Sequence, residues 1–179
     1  IELRLLAHMA GDEAMIAAFR SGGDFHAETA AKVFHVAPDQ VTHEMRRQAK
    51  AVNFGIVYGI SAFSLSQDIG VTVAEAKAYM EAYFATFPGV RKYMDDVVAK
   101  AKEQGYVETL FHRRRELPEI RSSNFNMRSF GERVALNMPI QGTAADIMKL
   151  AMVAVEKRLK RELPEAKLVL QVHDELIVE

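Results

Sequence analysis

The sequence contains no cysteine among its 179 residues. This absence excludes disulfide bonds and thiolate metal sites, and it suits a protein of a reducing cytosol. The sequence also has no apolar run close to the ~20 residues that a membrane-spanning helix needs. With 49% apolar and 26% charged residues, it has the composition of a globular domain with a sizeable core.

The sequence also has almost no net charge, with a formal value of −1 at pH 7. Proteins that bind nucleic acid are normally basic, so such a function would depend on where the charges lie. A single run of charges is usually a solvated face, and we interpret the cations at 157–161 in this way. Three other clusters of cations lie at Arg46, Arg47 and Lys50, at Arg113, Arg114 and Arg115, and at Arg121, Arg128 and Arg133.

The periodicity of apolar residues predicts an α+β fold that is predominantly helical. Helices are expected over 3–19 with an interruption at Gly11, and over 24–36, 42–59, 72–86, 88–105 and 124–163, the last bent or restarted at Pro139. Strands are expected at 106–111 and from 167 to the end. The first helix and the last strands are expected to form one mixed unit from which a helical insertion protrudes. Because the sequence opens at Ile1 without an initiator Met, within a motif that is identified below, we expect it to be an excerpt of a longer chain.

The segment "MRRQAKAVNFGIVYG", Met45–Gly59, places cations and aromatic rings on one helical face. At ~100° per residue, Lys50, Phe54, Arg47 and Tyr58 all fall within about 120° of Arg46. The small apolar residues of the segment fall on the opposite side, where they predict a core-facing stripe: Met45, Ala49, Val52 and Ile56.

Such a face suits a nucleoside triphosphate. Arg46 and Lys50 near the helix N-terminus would bind phosphate oxygens, and Phe54 and Tyr58 lie ~6 and ~12 Å beyond Lys50, where they could stack on a base. The residues alone leave open that both rings pack beneath a neighbouring helix while the cationic side chains cover them.

The C-terminal stretch "LVLQVHDELIVE" interrupts a β-type run with His173, Asp174 and Glu175. One interpretation is a hairpin whose polar turn is simply solvated. The other is a site for a hard cation, because Mg²⁺ prefers one or two carboxylates and shares its other positions with water and phosphate. Next to a helix suited to a triphosphate, the cation site is the more economical interpretation.

Together these residues resemble family A DNA polymerases of the bacterial DNA polymerase I type. "RRQAKAVNFGIVYG" resembles motif B of that family, "IELR" the end of motif A, and "QVHDELI" motif C. "DFHAETA", "ETLFHRRR" and "MPIQGTAAD" add to the resemblance, which covers the whole chain in the family's order. It implies a right-hand polymerase architecture with a partial antiparallel sheet: palm at 1–22, helical fingers at 23–124, and palm again at 125–179.

The resemblance also implies roles for single residues. Arg46, Lys50 and His26 match contacts to the incoming triphosphate, and Lys50 is placed to protonate the leaving group. Phe54 matches the ring against the incoming sugar and base, Tyr58 the aromatic at the insertion site, and Glu2 the residue that crowds the 2′ position. The matched DNA contacts are Arg133, Asn137, Gln141, His173, Arg113, Arg114 and Arg115, of which Asn137 and Gln141 face the minor groove. The residues alone leave open that His26 is merely an exposed helix residue, that Gln141 is a capping amide, and that "HRRR" is a solvated loop.

The implied reaction extends primer–template DNA with deoxynucleoside triphosphates by two-metal-ion phosphoryl transfer. Asp174 matches a metal ligand and Glu175 stands beside it, and two Mg²⁺ ions, or Mn²⁺ in their place, are the implied cofactors. The family's other metal-binding aspartate would lie four residues before Ile1, so we expect the chain alone to be inactive. The implied protein is monomeric, free of the membrane, and found at the nucleoid in the bacterial cytoplasm.

Two rival functions remain open from the sequence. A non-catalytic nucleic-acid-binding module would explain the basic clusters, but not Asp174 and Glu175, because bare carboxylates repel a phosphate backbone. The other rival is a related enzyme specialised for RNA. Only the resemblance at Glu2 and Phe54 argues against it.

Overall fold

Helices hold about 70% of the residues in the computed structural model, which describes residues 1–179. The helices are α1 Glu2–Ala10, α2 Glu13–Arg20, α3 Phe25–Val33, α4 His43–Val57, α5 Ala62–Ile69, α6 Val73–Thr86, α7 Pro88–Gln104 and α8 Phe125–Glu162, with short 3₁₀ turns at Pro38–Gln40 and Pro118–Arg121. The strands β1 Tyr106–Glu108 and β2 Arg114–Glu116 form one antiparallel pair, and β3 Leu168–Val172 and β4 Glu175–Val178 form another. The predicted α+β, predominantly helical fold class is confirmed.

The helices begin where the sequence supplies capping side chains. The Thr42 hydroxyl accepts a hydrogen bond from the Met45 amide at the start of α4, and Thr72 and Glu75 form a complete capping box at the start of α6. Gly11 ends α1 in a left-handed conformation with φ 57°, a conformation that costs glycine little. The interruption predicted at Gly11 is therefore a full break that separates α1 from α2.

Three predictions of local structure were incomplete or wrong. The prediction contained no helix between residues 59 and 72, where Ser61 caps α5. Of the predicted strand 106–111 only Tyr106–Glu108 is extended, and it pairs with Arg114–Glu116, which had not been predicted as a strand. The long helix is not restarted at Pro139 but continues through it, because the buried Pro139 loses only one backbone hydrogen bond while packing holds the turns on either side.

The main core joins helices from both sides of the boundary predicted at residue 22. Leu6 of α1, Ile56 of α4, Tyr83 of α6 and Ile140 of α8 all belong to one cluster of 19 buried residues. A second cluster of 5 buried residues links α7, β1 and α8. The division into 1–22, 23–124 and 125–179 stays a prediction.

The C-terminal strands form a hairpin beside the long helix. Leu170 pairs with Ile177 and Val172 with Glu175, and His173 takes a positive φ of 52° in the turn between them. The extended structure predicted after Lys167 is confirmed, and so is the placement of His173 and Asp174 at a turn. None of the helices combines the length and the apolar character that crossing a membrane would require.

Candidate nucleotide and nucleic-acid site

The cationic and aromatic face of α4 points away from the core. Ala49, Val52 and Ile56 on the opposite face are fully buried, while Phe54 is half-buried and Tyr58 is 42% exposed. The apolar stripe predicted by the helical wheel is therefore in the core at these three positions, whereas Met45 is only half-buried. The alternative in which both rings are sealed beneath a neighbouring helix does not hold.

A cleft of about 630 Å³, here called the central cleft, brings α4 together with α1, α3, α8 and the terminal hairpin. Its lining includes Glu2, His26, Phe54, Tyr58, Gln141, His173 and Asp174. Side chains that are up to 172 positions apart in the sequence thus surround one space. Arg46, Lys50 and Glu175 are not part of this lining; Lys50 is exposed one helical turn before Phe54.

Arg46 is held at the start of α3. Its Nε donates to Oδ2 of Asp24 at 2.6 Å, while Oδ1 of the same carboxylate accepts hydrogen bonds from the His26 and Ala27 amides. The bond from Arg46 is the main reason that the pKa of Asp24 is lowered from 3.8. Because only Nε is engaged, the terminal nitrogens of Arg46 stay available to another anion.

His26 sits against two residues of α4. Its Nδ1 lies 3.0 Å from Nδ2 of Asn53, and its ring centroid lies 5.7 Å from that of Phe54. Burial is the largest cause lowering the pKa of His26, and the charges of Arg46 and Lys50 lower it further against the opposing effect of Asp24. His26 is therefore an inward-facing cleft residue, not a freely exposed one.

Tyr58 connects α4 to α1 across the central cleft. Its hydroxyl donates to Oε2 of Glu2 at 3.0 Å. The pKa of Tyr58 is raised, first by burial and then by the adjacent Glu2 carboxylate. The pair forms a polar part of the cleft lining.

A second cleft of about 650 Å³, here called the arginine cleft, adjoins the first through Tyr58 and Gln141. All the predicted DNA contacts except His173 line it: Arg113, Arg114, Arg115, Arg133, Asn137 and Gln141. The last three are spaced four residues apart and therefore share one face of α8. Gln141 lies well inside α8 and between the two clefts, so it is not a capping amide.

The "HRRR" segment is solvated throughout, but it is a loop only at His112 and Arg113. Arg114 and Arg115 belong to β2, and Nη2 of Arg113 lies 3.0 Å from Oδ1 of Asp146 and 2.9 Å from the Gly142 carbonyl oxygen on α8. These contacts orient Arg113, and the remaining arginines keep exposed side chains along the cleft.

The carboxylates at the hairpin could supply only part of the coordination of a Mg²⁺ ion. The Asp174 side chain is 51% exposed, and its Oδ2 lies 3.3 Å from the Ile1 nitrogen. No group of three or more His, Asp or Glu side chains converges anywhere in the chain. The residues therefore suit a Mg²⁺ ion that takes one or two carboxylates and completes its coordination with water and phosphate, and not a cage built by protein alone.

The sequence interpretation did not single out three residues that organise this site. Asp24, Asn53 and Asp146 contact Arg46, His26 and Arg113 respectively. On the helical wheel Asn53 falls at about 340°, between Ala49 and Arg46, so periodicity did not predict that this amide would be buried. The partners themselves depend on tertiary contacts that periodicity cannot identify.

Comparison with known proteins places the whole chain in one family. The family model for DNA polymerase family A matches residues 1–179. The chain is 60% identical to DNA polymerase I of Geobacillus stearothermophilus and 59% identical to DNA polymerase I of Bacillus subtilis, over its full length and 20% of theirs. It therefore spans about a fifth of the length of these relatives.

A solved structure gives the same result for the fold. The structure described as the POL domain of Pol1 from M. smegmatis, in complex with DNA primer-template and dNTP, superposes with a TM-score of 0.95 at 47% identity. The match covers 100% of this chain and 32% of that one. The chain belongs to DNA polymerase family A.

Proposed function

We propose that the protein containing this chain is a DNA-directed DNA polymerase that extends a primer 3′ end with deoxynucleoside triphosphates, releasing pyrophosphate, in replication and repair. One observation carries the proposal: the aromatic face of α4 and the hairpin that bears Asp174 line the same central cleft. The relatives named DNA polymerase I support it, as does the similar domain solved with primer-template and dNTP.

The triphosphate would lie along the start of α4. Arg46 presents free terminal nitrogens beside Asp24, and Lys50 is exposed one turn further along the same face. Both cations form charge-assisted hydrogen bonds with phosphate oxygens. Lys50 is also placed to give a proton to the leaving pyrophosphate, as a general acid.

The sugar and base would lie between Phe54 and the pair formed by Tyr58 and Glu2. The Phe54 ring lines the central cleft, where it offers a flat surface on which a base can stack. Glu2 and Tyr58, joined at 3.0 Å, close the cleft where a ribose 2′-hydroxyl would need room. This wall favours deoxynucleotides.

Primer–template DNA would occupy the arginine cleft, with the primer end near Gln141. Gln141 and Tyr58 line both clefts, so the last base pair would meet the incoming nucleotide there. Asn137 and Gln141 offer donors and acceptors to the minor groove, which shows acceptors common to all base pairs. The arginines and His173 would contact phosphates, which hold the duplex without reading its sequence.

Asp174 would hold Mg²⁺, or Mn²⁺ in its place, with Glu175 next to it. The bound ions would lower the pKa of the primer hydroxyl and neutralise charge on the triphosphate. Asp174 presents its carboxylate to the central cleft in an exposed turn, where water and phosphate oxygens have access. We further propose that the protein acts as a monomer in the bacterial cytoplasm, with 23–124 as fingers on a palm formed by 1–22 and 125–179.

The substitution Asp174→Asn in the full-length protein tests this function. We expect the primer extension rate to fall about a hundredfold or more, because the amide loses the charge that binds the ion, while the Kd for primer–template stays unchanged. Asp95→Asn makes the same chemical change at an exposed site on α7 and should leave extension intact. Unchanged extension in Asp174→Asn would reject the metal assignment and favour a non-catalytic nucleic-acid-binding module.

A further inference from the structure

His26 and Asn53 meet in the wall of the central cleft. Asn53 lies in the buried part of α4 with 0% of its surface exposed. Its Nδ2 atom, 3.0 Å from His26 Nδ1, belongs to the one side chain that hydrogen-bonds to the imidazole. The opposite ring nitrogen, Nε2, has no protein partner, and His26 lines the cleft. The ring is therefore held from one side and open to a ligand on the other.

The identity of the contacting atoms determines where the imidazole proton lies. An amide nitrogen can only donate, so Nδ1 of His26 must accept and cannot carry a proton while this bond exists. A neutral imidazole whose Nδ1 accepts has its proton on Nε2. Of the charged groups that face the ring, Arg46 and Lys50 on α4 disfavour the imidazolium, and Asp24 at the start of α3 favours it.

The orientation of the Asn53 amide follows from the cost of burial. Its Oδ1 is buried without a hydrogen-bond partner. Turning the amide over would place Oδ1 against Nδ1 and bury both N–H groups of Nδ2 where no side chain pairs with the amide. Buried backbone N–H groups without partners are rarer than under-satisfied carbonyl oxygens. By the same reasoning, the orientation that pairs one N–H group of Asn53 with His26 is less costly than one that leaves both N–H groups unpaired.

We infer that Asn53 is a positioning residue that keeps His26 in the tautomer with the proton on Nε2, facing the central cleft. The neutral ring then offers a hydrogen-bond donor to a phosphate oxygen without having to take up a proton. This inference rests on the proposed binding of a triphosphate in the central cleft.

The tautomer can be measured directly in the full-length protein. With ¹⁵N-labelled histidine, the long-range correlations from the ring carbon protons distinguish a protonated Nε2 from a protonated Nδ1, and a His26→Gln sample identifies the signals. We expect Nε2 to be protonated and Nδ1 unprotonated at about pH 8. A protonated Nδ1 in the unsubstituted protein would overturn the inference, and His26→Gln, used for assignment, is the one variant that needs to fold for this result.

The variant Asn53→Asp then tests what the tautomer does. A carboxylate accepts from Nδ1–H and raises the pKa of His26, so above that pKa the ring is neutral with a bare Nε2 that repels phosphate. In the full-length protein with primer–template, we expect the ratio of the variant Kd for dATP to the unsubstituted Kd to grow about tenfold from pH 7 to pH 9. Taking the ratio removes the titration of dATP itself.

Thr29→Val is the matched control, because Thr29 is a fully buried hydroxyl on α3 that bonds only to the Phe25 carbonyl oxygen. Its Kd ratio should not change with pH, and a constant ratio in Asn53→Asp as well would overturn the positioning role. If Nε2 is protonated but His26→Ala, which has no side-chain donor, binds dATP as tightly as the unsubstituted protein, the phosphate contact is refuted and the tautomer assignment alone stands.

Discussion

The hydrogen bond between Tyr58 and Glu2 gives the sharpest quantitative prediction. It joins α4 to α1 at 3.0 Å, and it forms the proposed wall against ribonucleotides. A hydrogen bond to a charged group contributes about 1.5–3 kcal/mol when it is shielded from water. Tyr58 is 42% exposed, so we discount this range for solvent screening and expect a coupling of about 1 kcal/mol.

The assay is a double-mutant cycle on the free energy of unfolding. Tyr58→Phe removes only the hydroxyl, Glu2→Ala removes the carboxylate, and urea denaturation of the chain with one, both or neither change gives the coupling. Lys77 and Glu81, an exposed pair 3.8 Å apart on α6, provide a reference for which about 0.3–0.5 kcal/mol is expected. A coupling between Tyr58 and Glu2 below about 0.3 kcal/mol, the usual error of additivity, would refute the bond.

The same two substitutions make a prediction about substrate choice. Glu2→Ala opens the proposed wall, so in the full-length protein the incorporation of ribonucleotides relative to deoxynucleotides should rise, by about tenfold or more. Tyr58→Phe keeps the ring in place and should change this ratio much less. Equal ratios in the unsubstituted and Glu2→Ala proteins would show that Glu2 does not face the sugar.

Two further predictions concern carboxylates that cap helices. Asp12, which is 4% exposed, accepts hydrogen bonds from the Met15 amide at 2.9 Å and the Gly89 amide at 2.8 Å. Asp12→Ala should therefore lower the free energy of unfolding, measured by urea denaturation, by about 2–5 kcal/mol. A decrease below ~0.5 kcal/mol would contradict this prediction. The folded-state pKa of Asp24 is lowered, chiefly by Arg46, so its contribution to stability is present above the unfolded-state pKa and lost as pH falls through the folded-state value. Between about pH 5 and pH 3 the unsubstituted chain should therefore lose more stability than Asp24→Ser, which keeps a capping oxygen; parallel losses would contradict the ion pair.

The sequence was sufficient to predict the orientation of α4. The 3.6-residue period places Val52 and Ile56 on the face opposite Phe54 and Tyr58. In the folded chain Val52 and Ile56 are buried in the core. Caps were readable for the same reason, because Thr42 and Thr72 act on amides only three residues away. Sequence patterns that act over three or four residues can be interpreted without knowledge of the tertiary structure.

Features that depend on distant contacts were harder to predict. Helix α5 lacks a long apolar period, and the core fixes it through Leu65, which is fully buried. The β2 strand consists of exposed charged residues and forms because Arg115 pairs with Val107 of β1. At Gly131 a Cβ atom would lie 2.7 Å from the Ile120 nitrogen, a close approach of α8 to the preceding turn that no local pattern announces.

The same limit applies to the site. The predicted site residues that line the two clefts came from the three motifs, the supporting stretches and the basic clusters, but the residues that orient them were not predicted. The contact of Asn53 with His26 spans 27 positions and that of Arg113 with Asp146 spans 33. Such pairs follow from how α3, α4, β2 and α8 pack, and only the structure provides that information.

The central claim is that the outward face of α4 binds the incoming triphosphate. Its most direct test is Lys50→Ala in the full-length protein, with the Kd for the correct deoxynucleoside triphosphate and the Kd for primer–template measured on the same preparation. We predict that the triphosphate Kd rises about tenfold or more, since a charge-assisted hydrogen bond is lost, while the primer–template Kd stays the same. Equal weakening of both would make Lys50 a contact to the DNA backbone and contradict the account.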